Sequence, residues 1–208
     1  MQIVVKAGAQ QEREWKEKGF PVTVGVHFMR DNEAVPAVDA YFDLLYEEEG
    51  YAFASIRNKP VFVNDVAGLT ATLPENCIRV NAWSGFLKRP VVEIAAGSGN
   101  AFIPAAEKIM DALEWKYQWV PDIPGMIAAR VIAMIVNEAY FGWGDGISTK
   151  ADIDTAMKLG TNYPYGPFEW SEKIGLRKIY QLLTTLSEKE NRYAIAPALE
   201  KEITDQLS

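Results

Sequence analysis

The chain has little of what most reactive sites are built from. Its 208 residues include one cysteine and one histidine. Cys77 has no partner for an internal disulfide, which fits a reducing cytoplasm. No base or cation flanks it to activate the thiol, so it reads as a small apolar residue entering a strand. His27, in the run Val26-His27-Phe28, reads as a structural or surface residue of a second candidate strand. With one His, one Cys and no carboxylates at ligand spacing, no metal site is expected. Positive charge is also scarce. Lys and Arg number 21 against 28 Asp and Glu, and the resulting net charge of −7 disfavours nucleic acid and anionic membrane as partners. The densest apolar stretch, Met126 to Val136, is broken by Arg130 and is too short to span a bilayer. No signal peptide is expected, because Met1 to Val5 leads directly into polar, helix-like sequence. Internal repeats and low-complexity tracts are missing too.

What is present divides into two halves of different character. The first alternates strands with short helices. Strand-like runs are Gln2 to Val5, Val22 to Phe28, Lys59 to Asn64, Ile78 to Ala82, Val91 to Ala95 and Lys116 to Val120. Tyr41 to Tyr46 is either a further strand or a turn of helix. Helical spacing marks Gln10 to Lys18, ending at Gly19, and Ala101 to Leu113. Such alternation predicts a mostly parallel α/β sheet, but the helices are few and several links are short for crossovers. From Pro121 the chain predicts helices only. One runs from Pro124 to about Phe141, apolar nearly all round and therefore central. A second follows Thr149 and Asp152, which have capping-box spacing, and carries Ile153, Ala156, Met157 and Leu159 on one face. Pro164, Gly166 and Pro167 form a rigid loop with Phe168 plugging the core, and two more helices cover Leu176 to Leu186 and Pro197 to Leu207.

Three stretches of the second half resemble the 3-hydroxyacyl-CoA dehydrogenase family. They are Asp122-Ile-Pro-Gly-Met-Ile-Ala-Ala-Arg130; Asn137-Glu-Ala139 with Gly146-Ile147 and Ile153-Asp-Thr-Ala-Met-Lys-Leu-Gly160; and Tyr163-Pro-Tyr-Gly-Pro-Phe-Glu169 with Ile174-Gly-Leu176. Order and spacing are kept throughout. The resemblance implies a degenerate Rossmann-like, NAD-binding-type domain over 1–120. It also implies a helical domain over 121–208 of the kind found at the C-terminus of 6-phosphogluconate dehydrogenase. Locally these blocks read as scaffold rather than chemistry. The resemblance further implies a homodimer through the helical domain and an acyl-CoA as possible ligand.

Upstream, Ile78 to Ala95 is similar to the segment that carries the family's catalytic pair. The family's Glu falls on Glu93 and its His on Asn81. The resemblance likewise marks Asn64, Ser84 and Arg130 as candidate substrate-binding residues and Gly8 as a candidate cofactor-binding residue. The family's reaction withdraws a hydroxyl proton while the carbon passes hydride to NAD, and its base must take up a proton near neutral pH. An amide cannot, so Asn81 is no base. The residue before Arg130 is Ala129 where the family has Asn, and the turn after Asn64 reads Asp65-Val66-Ala67 where the family has serines. The turn from Lys6 to Gln11 keeps one glycine of the three a pyrophosphate needs, and Val26 stands where an acid would hold the ribose, Asp31 being the nearest alternative. No cofactor is therefore expected, NAD being the one implied should the family activity be retained. The reading is a divergent family member, an accessory protein that binds an acyl-CoA. The alternatives are an active 3-hydroxybutyryl-CoA oxidoreductase with an atypical site and a dimeric structural module.

Overall fold

A computed structural model describes residues 1–30 and 32–207 of the protein. Seven short runs rich in Val, Ile and aromatics pair into one sheet. They are β1 (Gln2–Lys6), β2 (Gly25–Phe28), β3 (Ala40–Asp43), β4 (Val61–Val63), β5 (Cys77–Val80), β6 (Val91–Ala95) and β7 (Lys116–Trp119). Their order is β2-β1-β3-β4-β5-β6-β7. The first five are parallel, β6 turns back antiparallel to β5 with Arg79 opposite Ala95, and β7 runs parallel to β6. The expected α/β sheet followed by an all-helical half is what the chain forms. One local expectation is corrected, and one run left open as strand or helix is resolved. The second strand starts at Gly25 rather than Val22, because Val24 N–H closes a turn onto the Pro21 carbonyl. The ambiguous run from Tyr41 divides between β3 and α2 (Tyr46–Glu49).

Side chains alternate across the strands, and the two faces are covered differently. Ile3, Val5, Phe42, Phe62, Ile78, Val80 and Ile94 pack with α1 (Ala9–Lys18) and α3 (Ile103–Ala112). Trp15 of α1 is fully buried there, edge-on to Phe42 and tilted against Trp115. The opposite face presents Val4, Tyr41, Val61, Val63 and Cys77, and it is covered by connecting segments through Met29, Val35, Val38, Tyr51, Phe53 and Ile56. The Tyr41 hydroxyl pins one of these, donating to the Pro36 carbonyl and accepting from Val38 N–H. This is why the sheet has so few helices: connecting segments replace the second layer.

The chain folds as two compact units, Met1–Met126 and Ile127–Ser208. The division falls beyond Pro121 because the residues after it are tied into the sheet half. Asp122 accepts from Arg79 Nη1 at 2.8 Å, and Gly125 N–H donates to Val66 O at 2.7 Å. The second unit contains α4 (Ala128–Gly144), α5 (Lys150–Thr161), α6 (Pro167–Ile174), α7 (Leu176–Ser187) and α8 (Pro197–Leu207). The first of these begins later than Pro124 because Gly125 and Met126 both have positive φ, 79° and 47°. It is not buried all round, Val131 being 51% exposed. The apolar face expected on α5 is also weaker than its spacing implied, with Leu159 at 83% exposure and Asp154 the buried residue. Asp154 explains a family block physically. Its carboxylate accepts from Phe168 N–H and Glu169 N–H, capping α6. Gly166 leaves the room for this, since a Cβ there would lie 2.5 Å from the Asp154 Cα.

Two buried charges govern the sheet half. Arg79, fully buried, donates from Nε to Asp65 O, from Nη2 to Val66 O, and from Nη1 to Asp122 Oδ1 and Ile123 O. Burial alone would raise the Asp122 carboxyl, but the Thr70 hydroxyl and the Arg79 guanidinium outweigh it and hold the group below its usual range. Removing one partner of such a pair strands the other. Arg79→Ala is expected to cost the sheet half about 3–5 kcal/mol, and Arg79→Lys most of that, because an ammonium cannot reproduce the fork. Urea unfolding followed by tryptophan fluorescence measures both.

Asp43, at the end of β3, accepts from Ala52 N–H at 2.8 Å through Oδ2, while its buried Oδ1 has no partner among the described residues. Burial pushes its carboxyl up to about 6, against the pull of the Ala52 N–H and Lys6. A raised acid binds its proton more tightly in the folded state. Its contribution is therefore fully present below the unfolded value of 3.8 and lost as pH rises through about 6. Asp43→Asn should remove this loss, up to about 3 kcal/mol, so that its stability relative to the parent increases from pH 4 to pH 7. Equal pH profiles for the two proteins in thermal unfolding would contradict the assignment.

Candidate active site at the carboxyl ends of the strands

Open α/β sheets take ligands in the crevice beyond the carboxyl ends of their strands. Here that rim is formed by Ala7-Gly8 after β1, Leu44 after β3, Asn64 to Ala67 after β4 and Asn81 to Ser84 after β5. The reversal of β6 brings the two candidate catalytic positions together. Asn81 N–H donates to the Glu93 carbonyl at 3.0 Å, and Asn81 Nδ2 donates to Glu93 Oε2 at 3.3 Å. Asn81 is 2% exposed, and its buried Oδ1 has no partner among the described residues. The pair can position, donate and accept. It has no imidazole to hold a proton at neutral pH.

The other candidates lie in different settings. Asn64 is fully buried and both ends of its amide are engaged, Oδ1 accepting from Ala82 N–H at 2.9 Å and Nδ2 donating to Leu44 O at 3.3 Å. It latches the rim together. Ser84 is half-buried in the turn after β5. Arg130 belongs to the helical unit, where its guanidinium lies 5.6 Å from the centre of the Tyr193 ring and Nη1 donates to the Tyr193 hydroxyl. Cys77 is buried in β5, and burial pushes its thiol up to about 11, which leaves it unreactive. His27 is a surface residue, its Nε2 2.6 Å from Glu33 Oε1. Asp31 lies outside the described residues. Among the described residues no group of three or more His, Cys, Asp or Glu is placed to hold a metal, and no helix is long and apolar enough to cross a membrane.

Gly8 caps α1, and its N–H donates to Gln11 Oε1 at 3.0 Å. The other end of that side chain donates to Leu44 O at 2.7 Å and to Ala82 O at 3.2 Å, with Gln11 only 7% exposed. A dinucleotide needs the first-turn amides of this helix for its pyrophosphate and open space between the strand ends. One such amide is taken and Gln11 crosses the space. Trp83 is fully buried next to it, its indole N–H donating to Glu47 Oε2 at 2.7 Å. Glu14 of α1, 1% exposed, accepts from Gly85 N–H at 2.6 Å and draws the loop after β5 onto the helix. The residues present do not fit NAD.

Sequence reasoning missed Gln11, Glu14, Glu47 and Trp83. A signal existed for Gln11 alone, since a Gln three residues after a helix cap has capping spacing. Glu47 stands in an acidic run that reads as a solvated face.

Residues 125–206 match the family model described as 3-hydroxyacyl-CoA dehydrogenase, C-terminal domain. The 3-hydroxyadipyl-CoA dehydrogenase of Escherichia coli (strain K12) is 46% identical over 121 residues, 51% of this chain and 26% of that protein. A 3-hydroxybutyryl-CoA dehydrogenase of Clostridioides difficile is 34% identical over 84 residues, 39% of this chain and 30% of that protein. The chain thus spans between a quarter and a third of these curated relatives. The crystal structure of (S)-3-hydroxybutyryl-CoA dehydrogenase from Ralstonia eutropha is similar over 99% of this chain and 93% of that one. Its TM-score is 0.70 at 16% identity, a likeness of fold. Residues 125–206 thus carry a domain of the 3-hydroxyacyl-CoA dehydrogenase C-terminal type.

Proposed function

We propose that the protein is a divergent member of this family that has lost dehydrogenase chemistry and serves as a dimeric accessory protein able to hold an acyl-CoA. The observation that carries this reading is the Asn81–Glu93 pair. The amide donates to the carboxylate at 3.3 Å, in the place where the family sequence pattern puts a His beside a Glu. Proton removal from a substrate hydroxyl needs a group that changes charge near neutral pH, and the amide does not. The Gln11 contacts support the same reading, because restoring a base would leave the helix cap and rim still occupied. Exposed apolar residues of the helical unit, Val131, Ile147 and Leu159, support a dimer formed through that unit. The acyl-CoA ligand follows from the relatives, which are named for hydroxyacyl-CoA substrates.

Incubated with 3-hydroxybutyryl-CoA and NAD⁺, the protein is expected to form no NADH above a buffer blank, and Asn81→His alone is expected not to change that. Calorimetric titration with acetoacetyl-CoA should give saturable heat, and light scattering a dimer. NADH formation that disappears in Glu93→Gln would establish an active oxidoreductase instead. A monomer that gives no heat with any acyl-CoA would remove the accessory role.

A further inference from the structure

The turn after β4 presents two consecutive backbone amides in one direction. Val66 N–H lies 2.7 Å and Ala67 N–H 3.4 Å from the same oxygen, Glu47 Oε1. Trp83 Nε1 reaches the second oxygen, Oε2, at 2.7 Å. Three donors from two separate loops thus converge on one carboxylate in a bidentate arrangement. Successive backbone amides of this kind form an anion-binding concavity. The turn cannot easily relax away from its occupant, because Val66 O is held by Arg79 Nη2 at 2.9 Å and by Gly125 N–H at 2.7 Å. Trp83 is equally fixed, being fully buried. The carboxylate, in contrast, arrives on α2, a helix of four residues that ends at Gly50, where φ is 80°. Donors on a rigid frame and an acceptor on a short element describe a receptor and its ligand, both within one chain.

We propose that Val66 N–H, Ala67 N–H and Trp83 Nε1 form a carboxylate-binding site whose resident ligand is Glu47, and that a small external carboxylate takes this place when Glu47 is withdrawn. The site is independent of the loss of dehydrogenase chemistry argued above, since it uses neither Asn81 nor Glu93. It assigns Glu47 as the plug of a polar site at the strand ends, where this class of sheet takes its ligands. It also fixes the ligand class. Two oxygens at carboxylate spacing match donors on either side, so a planar carboxylate fits and a halide cannot bridge them.

The test is chemical rescue of stability. Glu47→Ala leaves three donors unmet, two of them on the buried residues Val66 and Trp83, and should unfold at a lower temperature in chloride than the parent does. Acetate substituted for chloride at constant ionic strength and neutral pH should raise the midpoint of the variant saturably. The rise should be roughly 3–5 °C at ten times the dissociation constant, while the parent, already plugged, should not respond. Adding Trp83→Phe to the variant should remove most of the acetate response. If Glu47→Ala does not fold, Glu47→Gln serves, because its amide group opposes the indole N–H and should lower the midpoint while leaving no room for acetate to restore it. An acetate response no larger in Glu47→Ala than in the parent would overturn the proposal, as would a Glu47→Gln midpoint equal to that of the parent.

Discussion

The sheet half depends on a guanidinium that has no access to water. Arg79 enters on the face of β5 that Cys77 shares, where an apolar residue would be ordinary, and it is fully buried. A charge in that position is tolerable only if its donors are met and a counter-charge is near. The Asp65 and Val66 carbonyls, the Ile123 carbonyl and the Asp122 carboxylate meet that need. Because a guanidinium is planar and its donors are fixed in direction, satisfying it fixes the geometry of whatever accepts. The turn after β4 and the segment leaving β7 are thereby locked to the same strand. Asp122, the first residue of the family's helical-domain block, acts here as the counter-charge of the sheet half.

That lock propagates to the rim. With its carbonyl taken by Arg79 and Gly125, Val66 can turn its N–H only one way, towards Glu47. Glu47 then fixes Trp83, and the Asn64 amide joins Ala82 to Leu44. Gln11 reaches the same two carbonyl-bearing residues from the helix side. The rim is a closed network in which loops from four strands share side-chain partners. A crevice that binds the pyrophosphate of a dinucleotide needs unsatisfied amides pointing into open space. This one has spent most of them on itself.

The legible part of the molecule was the part whose physics is local. Helix caps, turns and periodic apolar faces lie within a few residues, so α7, α8 and the Thr149 cap could be read directly from the chain. The Gly166-Pro167 turn was legible for the same reason, although its close contact with Asp154 was not, since twelve residues separate the two and only packing brings them together. The Asn81–Glu93 juxtaposition was legible through the resemblance, because an antiparallel return conserves spacing between paired positions. The second layer of the sheet was not legible. Connecting segments covering Val4 and Tyr41 have no period, and their burial is decided by distant strands. The α4 start was misplaced because a proline and glycine suggested a helix entrance, whereas Met126 takes a left-handed conformation that sequence does not announce.

The polar rim escaped the sequence for a more general reason. Glu47 sits in a run of three glutamates, and a charge run has its lowest energy in water. Such a residue is drawn inward only when the donors awaiting it would otherwise be stranded. Those donors exist because Arg79 has already fixed the turn after β4. The order of cause runs from a buried charge in β5, through a rigid turn, to a carboxylate recruited from the surface. The chemistry of the rim follows from that sequence of constraints rather than from any motif. A glutamate in the crevice and the Asn81 amide beside Glu93 are then consistent with each other. Glu47 meets the donors at the strand ends with one of the chain's own groups, and the Asn81 amide lies against the Glu93 carboxylate.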